Sequence, residues 1–346
     1  MQRVLSGIRA TGRLHLGNYL GAVKGMVELQ ERSDVETFFM VADLHSITTP
    51  FKPHDLADNR REVIIDYLAA GLDPEKSVLF LQSMVDEHAA LAFYFSCVVS
   101  IARMQHLPTF KEKVKQYPDN ATMALLNYPV LMASDILLYK ANLVPVGIDQ
   151  EPHLEITREI ARKMNDTFGL SLPEPTRFAT SGEYVPSLRG DGKMSKTVEG
   201  SYISLVDDLA TIKKRLAGAE TDSGKGSLTI QQKEYAGKQV EQRIYTDQSG
   251  TVSGVGNVLT FVELFLGKPA REAYEQQYES TGIRYGELKE LLAEAIFKQL
   301  EPLQARRAEL VADGQYVDSV IEAGAAKARA VARQTLDEVK QSMGLG

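Results

Sequence analysis

The side chains near the start of the chain that could do chemistry are His15 and Asn18, with Gly17 between them. They follow an apolar run at residues 4–8, typical of a buried parallel strand, and they open a helical pattern of apolar residues. Strand, glycine turn and helix start form the geometry of a nucleotide pocket, because N–H groups at a helix start face phosphates. Neither the Gly-x-Gly-x-x-Gly fingerprint nor a Walker loop is present. The imidazole and the amide can instead donate hydrogen bonds to phosphate oxygens; a helix start that merely carries these residues is the alternative.

A second run suited to phosphate chemistry spans residues 190–197 and reads Gly-Asp-Gly-Lys-Met-Ser-Lys-Thr. Lys193 and Lys196 stand three residues apart, with hydroxyl groups on Ser195 and Thr197. Such lysines offer mobile cations and donors for a polyphosphate. An ordinary surface loop is the alternative.

One acidic residue stands in the otherwise apolar run at residues 127–139. Asp135 shares a helix face with Tyr128 and Met132, because their spacings are four and three. Pro129 suits the first turn of that helix. A carboxylate in apolar surroundings needs a partner. The pattern predicts a pocket wall with one acceptor for an indole N–H, a phenol or an amine; a helix cap or a satisfied structural carboxylate is the alternative.

The next run, residues 143–150, is a predicted strand that ends in Gly147, Ile148, Asp149 and Gln150. The glycine allows close approach to the backbone. Asp149 and Gln150 can accept hydrogen bonds from ribose hydroxyls and from an ammonium group.

The order of elements that must position these groups predicts an α/β fold. Strands are expected at residues 4–8, 37–43, 77–82 and 143–150, with helices at 53–71, 86–102 and 151–168. Beyond about residue 200 helical patterns dominate, at residues 205–218, 228–245, 257–265, 270–280, 285–311 and 316–342.

Composition restricts the class of protein. The 346 residues suffice for two domains, and 44% hydrophobic with 25% charged residues indicates an ordered chain. A single cysteine, Cys97, excludes an internal disulfide and suits a reducing cytoplasm; we expect it to be buried and inert. No apolar run reaches the roughly 20 residues of a membrane span, and no signal peptide is evident. The net charge of −7 argues mildly against nucleic acid, although the basic patch at residues 103–116 could follow a phosphate backbone.

Two of these runs resemble known signatures. His15-Leu16-Gly17-Asn18 resembles the "HIGH" signature of class I aminoacyl-tRNA synthetases, and Lys193-Met194-Ser195-Lys196 resembles their "KMSKS" signature. Within that class, the chain is similar almost end to end to bacterial-type tryptophanyl-tRNA synthetases. The Ala-x-Asp-Ile-Leu-Leu-Tyr stretch at residues 133–139 separates it from the tyrosyl enzymes.

The resemblance implies a domain order and a reaction. We expect a Rossmann-type catalytic domain at residues 1–190, a mobile lysine loop and linker at 191–200, a helical anticodon-binding domain at 201–310, and a C-terminal helix at 311–346 that returns to the first domain. The chain would form a homodimer in the cytoplasm. It would join tryptophan and MgATP into tryptophanyl-adenylate and then load a tryptophan-specific tRNA. The sequence indicates no metal-ligand set, so Mg²⁺ would arrive with ATP.

The resemblance also implies roles for individual residues. The catalytic set would be Lys193, Lys196, His15 and Asn18. ATP would bind to Arg9, Ala10, Thr11, Gly17, Asn18, Gly147, Ile148, Asp149, Val185, Lys193, Met194, Ser195, Lys196 and Thr197. Tryptophan would bind to Asp135, Tyr128, Met132, Gln150, Gly7, His45, Leu5, Val144 and Val146.

The chain departs from the family pattern at a few positions. Arg9 and Ala10 stand where Gln and Pro are frequent, Ile148 interrupts a common Gly-Glu-Asp-Gln, and Leu44 replaces a common Gln. These differences make the substrate contact at position 9 an open question and raise the hypothesis of an auxiliary, inhibitor-resistant isoform. A tyrosyl-tRNA synthetase, a non-catalytic paralogue that binds tRNA, and a nucleotidyltransferase are the alternatives.

Overall fold

The computed structural model describes residues 1–147, 150–178, 184–190, 192–196, 198–235 and 238–346. It contains two compact units. The first unit comprises residues 1–13, 22–182 and 307–346, and the second comprises residues 14–21 and 183–306. The functional domain borders expected at residues 190, 200 and 310 stay a prediction.

The strands and helices are numbered in chain order. The strands are β1 (Gln2–Ile8), β2 (Val35–Val41), β3 (Ser77–Leu81), β4 (Leu143–Val144), β5 (Thr176–Arg177), β6 (Gly226–Tyr235) and β7 (Lys238–Asp247). The helices are α1 (Leu16–Asn18), α2 (Lys24–Gln30), α3 (Asp43–Ser46), α4 (Pro53–Ala69), α5 (Glu87–Ser96), α6 (Ile101–Gln105), α7 (Pro108–Gln116), α8 (Met123–Leu138), α9 (Glu151–Phe168), α10 (Leu209–Ala217), α11 (Val255–Leu266), α12 (Lys268–Glu279), α13 (Tyr285–Ala312) and α14 (Gly314–Ser342). A π-helical turn, Tyr19–Val23, joins α1 to α2.

The first unit is built on a parallel five-stranded sheet in the order β3-β2-β1-β4-β5. Its strands are apolar because both faces are covered by helices; Phe38, Phe39 and Val41 in β2 have no exposed surface. This confirms the predicted α/β class and the first three predicted strands. The fourth is shorter than expected, and β5 was not predicted because two residues carry too little pattern.

Helix α14 packs on β3, the strand at one edge of the sheet. The contact is between backbones: a Cβ on Gly324 would lie 1.7 Å from the carbonyl oxygen of Leu79. Only glycine permits that approach. The helix therefore covers a strand edge that would otherwise be exposed.

The predicted helix at residues 228–245 is wrong, because β6 and β7 form an antiparallel hairpin there. Thr229, Ile230 and Ile244 are β-branched and favour strands. The hairpin is attached to α12 by Glu275, which accepts hydrogen bonds from Tyr245 and Arg243. Local strand propensity and these contacts to α12 outweigh the helical pattern of apolar residues in this segment.

The predicted helix at residues 86–102 is two helices, α5 and α6. Ser100 begins α6, since its side chain accepts a hydrogen bond from the N–H of Arg103 at 3.3 Å. The expectation that Cys97 is buried is also wrong: it is exposed just beyond the end of α5.

Pro129 was expected in a first helical turn and instead lies inside α8. The helix starts earlier because Thr122 Oγ1 accepts a hydrogen bond from the N–H of Leu125, at 3.2 Å, and caps it. Helix α9, by contrast, begins and ends as predicted. Within the ranges that the structure describes, no helix is long and apolar enough to cross a membrane.

Candidate active site

The first unit contains a cavity of about 360 Å³ that is lined by residues at the carboxyl ends of β1, β2 and β4. This is the position at which parallel α/β sheets bind ligands. Every residue expected to contact the amino acid lines it: Leu5, Gly7, His45, Tyr128, Met132, Asp135, Val144, Val146 and Gln150. The structure therefore brings that set together in one place.

Gly7 keeps this cavity compatible with the packing of the sheet. A Cβ at this position would lie 2.7 Å from Met40 Cγ and 2.9 Å from the Met40 carbonyl oxygen. Real Cβ atoms do not approach other atoms so closely, so a larger residue would displace β2 or the Met40 side chain, which also lines the cavity.

Asp135 is a buried polar residue of the cavity wall, with 1% of its surface exposed. Its Oδ1 accepts hydrogen bonds from Gln82 Nε2 and His88 Nδ1, both at 2.7 Å. Its Oδ2 accepts from His45 Nε2, also at 2.7 Å. A carboxylate has about four acceptor positions, so one position on Oδ2 remains for a ligand.

The charge state of Asp135 follows from these contacts. Burial acts to raise the pKa of Asp135, but the interactions with His45 and His88 outweigh burial and lower it to about 2. The carboxylate is therefore ionised at neutral pH. An ionised acceptor in an apolar cavity binds an N–H or O–H donor more strongly than a neutral acceptor does.

A polar wall of the cavity is formed by Tyr128, Thr109 and His153. Tyr128 Oη and Thr109 Oγ1 lie 2.6 Å and 3.0 Å from His153 Nε2. Burial raises the pKa of Tyr128, so its hydroxyl stays protonated. Gln150 lines the same cavity. Together these groups offer oxygens that could accept hydrogen bonds from an ammonium group.

Arg9 was expected on the approach to ATP, and the structure places it in the wall of this same cavity. One guanidinium nitrogen donates to Thr49 Oγ1 at 2.7 Å and to the Ser46 carbonyl at 3.4 Å. Its Nε is buried with no hydrogen-bond partner. Among the described residues Arg9 forms no ion pair, and burial lowers the pKa of its guanidinium. A half-buried cation with an unused donor is a site for an anion.

The other described residues expected to bind ATP in the first unit do not line this cavity. Ala10 and Thr11 line a different depression. Gly147 is exposed, and its carbonyl accepts from the N–H of Gln150 at 3.0 Å. Ile148 and Asp149, like Thr197, lie outside the described residues.

The second unit holds His15 and Asn18 in a reciprocal cap at the start of α1. The Asn18 N–H donates to His15 Nδ1 at 3.3 Å, and the His15 N–H donates to Asn18 Oδ1 at 3.2 Å. The Leu16 N–H donates to the carbonyl of Ile203 at 2.9 Å. Because Nδ1 accepts a hydrogen bond, the proton of a neutral His15 imidazole is on Nε2, where it can be donated to a ligand.

The lysine loop of the same unit is anchored beside this cap. The Met194 N–H donates to the carbonyl of Val185 at 2.9 Å, and the Met194 side chain is buried. A Cβ on Gly17 would lie 3.2 Å from Met194 Cβ, so the turn and the loop are in contact. Lys193 is exposed, whereas Ser195 and Lys196 are half-buried.

The lysines act electrostatically on His15. Burial, Lys196 and Lys193, in that order, lower the pKa of His15 to about 4. The imidazole is therefore neutral at pH 7. A neutral imidazole that can donate and two lysines are thus carried by the helix start and by the loop that contacts it.

Among the described residues, no group of three or more His, Cys, Asp or Glu side chains is placed to hold a metal ion. The candidate chemistry of the chain is consequently that of an apolar cavity with an anionic acceptor, and of a cationic loop beside an imidazole.

The family model for tRNA synthetases class I (W and Y) matches residues 1–301. The chain belongs to this family. A class I relative, the tryptophan–tRNA ligase of Synechocystis sp., is 41% identical over 99% of this chain and 97% of its own length. The corresponding ligase of Helicobacter pylori is 40% identical over 99% of both chains. The crystal structure of tryptophanyl-tRNA synthetase from Campylobacter jejuni, complexed with ADP and tryptophan, aligns with a TM-score of 0.80, at 30% identity, over 99% of this chain and 100% of the other.

Three buried or cavity-lining residues of this class I synthetase were not identified from the sequence: Gln82, His88 and His153. Each is a polar residue at or near an apolar run, the same signal that singled out Asp135. His88 follows the third strand, and His153 is in the first turn of α9. Polar residues in apolar surroundings need partners, so a search for the partners of Asp135 would have found Gln82 and His88, whereas His153 contacts Tyr128 and Thr109.

The charge state of His15 predicts a pH dependence of folding. The folded-state pKa of about 4 lies below the ordinary value of 6.5, so the unfolded chain binds the proton first. Stability is lost as pH falls from 6.5 to 4. We expect the free energy of unfolding of the wild type to fall by about 2–3 kcal/mol more than that of His15→Asn over this range, measured by urea unfolding. Asparagine keeps the helix cap, and parallel curves for the two proteins would contradict the assignment.

Proposed function

We propose that this protein is a tryptophan–tRNA ligase. It activates L-tryptophan with MgATP to tryptophanyl-adenylate and pyrophosphate, and then transfers the acyl group to the 3′ end of its tRNA. The observation that carries the proposal is the buried, ionised Asp135 with one acceptor position in an apolar cavity. The names of the relatives support the same activity.

The cavity offers groups that complement each part of tryptophan. Asp135 would accept the indole N–H, and Met132, Val144, Val146 and Leu5 would contact the apolar ring. A substrate without the N–H would leave the carboxylate one hydrogen bond short, which costs on the order of 1–3 kcal/mol or more for a charged acceptor. Tyr128 and Gln150 would accept from the ammonium group.

The phosphates would be held by the second unit. His15 Nε2–H and the Asn18 side chain would donate to phosphate oxygens, and Lys193 and Lys196 would neutralise the departing pyrophosphate. The tryptophan carboxylate is itself the nucleophile at the α-phosphorus, so the protein needs no covalent residue. Its contribution is positioning and charge stabilisation.

The partners belong to the proposal as well. Tryptophan-specific tRNA is the second substrate, and the homodimer, the cytoplasmic location and the anticodon-binding role of residues 201–310 remain predictions. The basic patch at 103–116 is a candidate tRNA contact of reduced charge, because Arg103 is paired with Glu159 at 2.6 Å.

Amino-acid-dependent ATP–pyrophosphate exchange tests the activity. We expect exchange with tryptophan and a preference of about 100-fold or more over tyrosine. Asp135→Asn should lower kcat/KM for tryptophan by about 10- to 100-fold because the charged acceptor is lost. Lys196→Ala should lower kcat by about 100-fold, since its charge acts on the transition state.

The matched control is Lys214→Ala, which removes an exposed lysine on α10; it should leave exchange unchanged. Exchange with tyrosine alone would identify a tyrosyl enzyme instead. Binding of tRNA with no exchange would identify a non-catalytic paralogue.

The unpaired donor of Arg9 predicts a second property, recognition of the substrate carboxylate. We expect the wild type to bind tryptophan about 10- to 100-fold more tightly than tryptamine, which lacks the carboxylate. Arg9→Met should remove that preference, and Arg9→Lys should keep part of it. Because the chain contains 0 tryptophans, ligand indole fluorescence reports binding directly.

Lys113→Met is the control, since Lys113 is a second cation that lines the cavity. If Lys113→Met loses the preference for tryptophan over tryptamine and Arg9→Met keeps it, then Lys113 and not Arg9 recognises the substrate carboxylate. The hypothesis of an inhibitor-resistant isoform is tested by comparing the wild type with Arg9→Gln, which carries the residue frequent in the family. If tryptophan-competitive inhibitors act equally on the two proteins, the hypothesis is contradicted.

A further inference from the structure

His88 is a fully buried histidine that no step of the proposed reaction uses. It lies on α5 and faces Asp135 of α8 and Tyr139, the residue that follows α8. Its Nδ1 is 2.7 Å from Asp135 Oδ1, and its Nε2 is 2.8 Å from Tyr139 Oη. The imidazole therefore bridges the carboxylate in the cavity wall and a phenol behind it.

The charge of Asp135 fixes the direction of the first of these hydrogen bonds. An ionised carboxylate can only accept, so Nδ1 of His88 carries a proton and donates to Asp135. Burial, Asp135 and Glu87, in that order, raise the pKa of Tyr139, so the phenol keeps its proton. In the Nδ1–H tautomer of His88, the phenol hydroxyl donates to Nε2. The order of donation is Tyr139 to His88 to Asp135.

The surrounding packing holds the bridge in place. The ring of His88 stacks on Phe80, with centroids 6.0 Å apart, and Tyr139 stacks on Phe38 at 4.7 Å. Ser134 Oγ donates to the carbonyl of His88 at 2.7 Å, which joins α8 to α5. Neither ring has room to rotate in a close-packed interior.

We propose that His88 and Tyr139 are positioning residues that set the specificity of the cavity for a ligand carrying an N–H. His88 Nδ1 and Gln82 Nε2 occupy Oδ1 of Asp135, and this directs the remaining acceptor position, on Oδ2, toward the cavity. The inference rests on the proposed tryptophan activation. It assigns the preference for indole over an isosteric ring to groups that do not touch the substrate.

The test compares tryptophan with 3-(3-benzothienyl)alanine, in which sulfur replaces the indole N–H. The readout is the ratio of kcat/KM for the two substrates in ATP–pyrophosphate exchange. A variant that merely disturbs the fold lowers kcat/KM for both substrates and leaves the ratio unchanged. The ratio therefore isolates recognition of the N–H, and we expect about 100-fold for the wild type.

His88→Asn and His88→Gln form a matched pair. The asparagine amide reaches the position of Nδ1, whereas the glutamine amide reaches that of Nε2. We expect His88→Asn to retain the ratio within about threefold and His88→Gln to lower it by about tenfold or more. Tyr139→Phe should lower it by about threefold to tenfold, because the His88 ring is then held by one of its two side-chain hydrogen bonds.

Each outcome has a distinct meaning. An unchanged ratio in both His88→Gln and Tyr139→Phe overturns the inference and leaves the proposed activity standing. Equal loss of the ratio in His88→Asn and His88→Gln also overturns it, since position-specific donation is then not the cause. No exchange with tryptophan in the wild type contradicts the proposed function, and the inference with it.

Discussion

One physical constraint governs the cavity: a carboxylate placed in an apolar interior must be satisfied by hydrogen bonds or it takes up a proton. Asp135 meets this constraint with three donors, from Gln82, His88 and His45. Three donors are enough to keep it ionised and leave one acceptor position. The cavity can therefore offer a ligand a strong acceptor whose charge is stabilised by protein groups instead of by water. The same donors also hold the carboxylate in one orientation, which a binding site needs and a mobile surface carboxylate lacks.

In the second unit, the charged groups of the candidate site are cationic instead of anionic. Burial, Lys196 and Lys193 together lower the pKa of the His15 imidazole to about 4, so the imidazole stays neutral beside two cationic side chains. The reciprocal cap between His15 and Asn18 holds the helix start in place, and the buried side chain of Met194 anchors the lysine loop. These are the groups that we propose bind the phosphates of ATP.

The α/β class and Asp135 could be predicted from short-range pattern, because the strands are apolar runs and Asp135 is a lone acidic residue in an apolar helix. Other cavity residues, such as Gly7 and Val144, were predicted from the family resemblance. The partners of Asp135 could not be predicted in the same way, because Gln82 and His88 meet it only through packing of separate elements. Arg9 was predicted for a different ligand, since its side-chain direction is not encoded locally. The hairpin of β6 and β7 was missed because it buries little surface, so the usual alternation of apolar and polar residues is weak.

The most direct measurement is the NMR signal of the indole N–H of bound ¹⁵N-labelled tryptophan. The chain contains 0 tryptophans, so the ligand gives the one indole resonance. If Asp135 accepts this proton, the resonance lies downfield of free tryptophan, exchanges slowly with water, and moves back upfield in Asp135→Asn. A resonance at the free-ligand position that exchanges rapidly in the wild type would show that the buried carboxylate does not bind the indole, and would contradict the account.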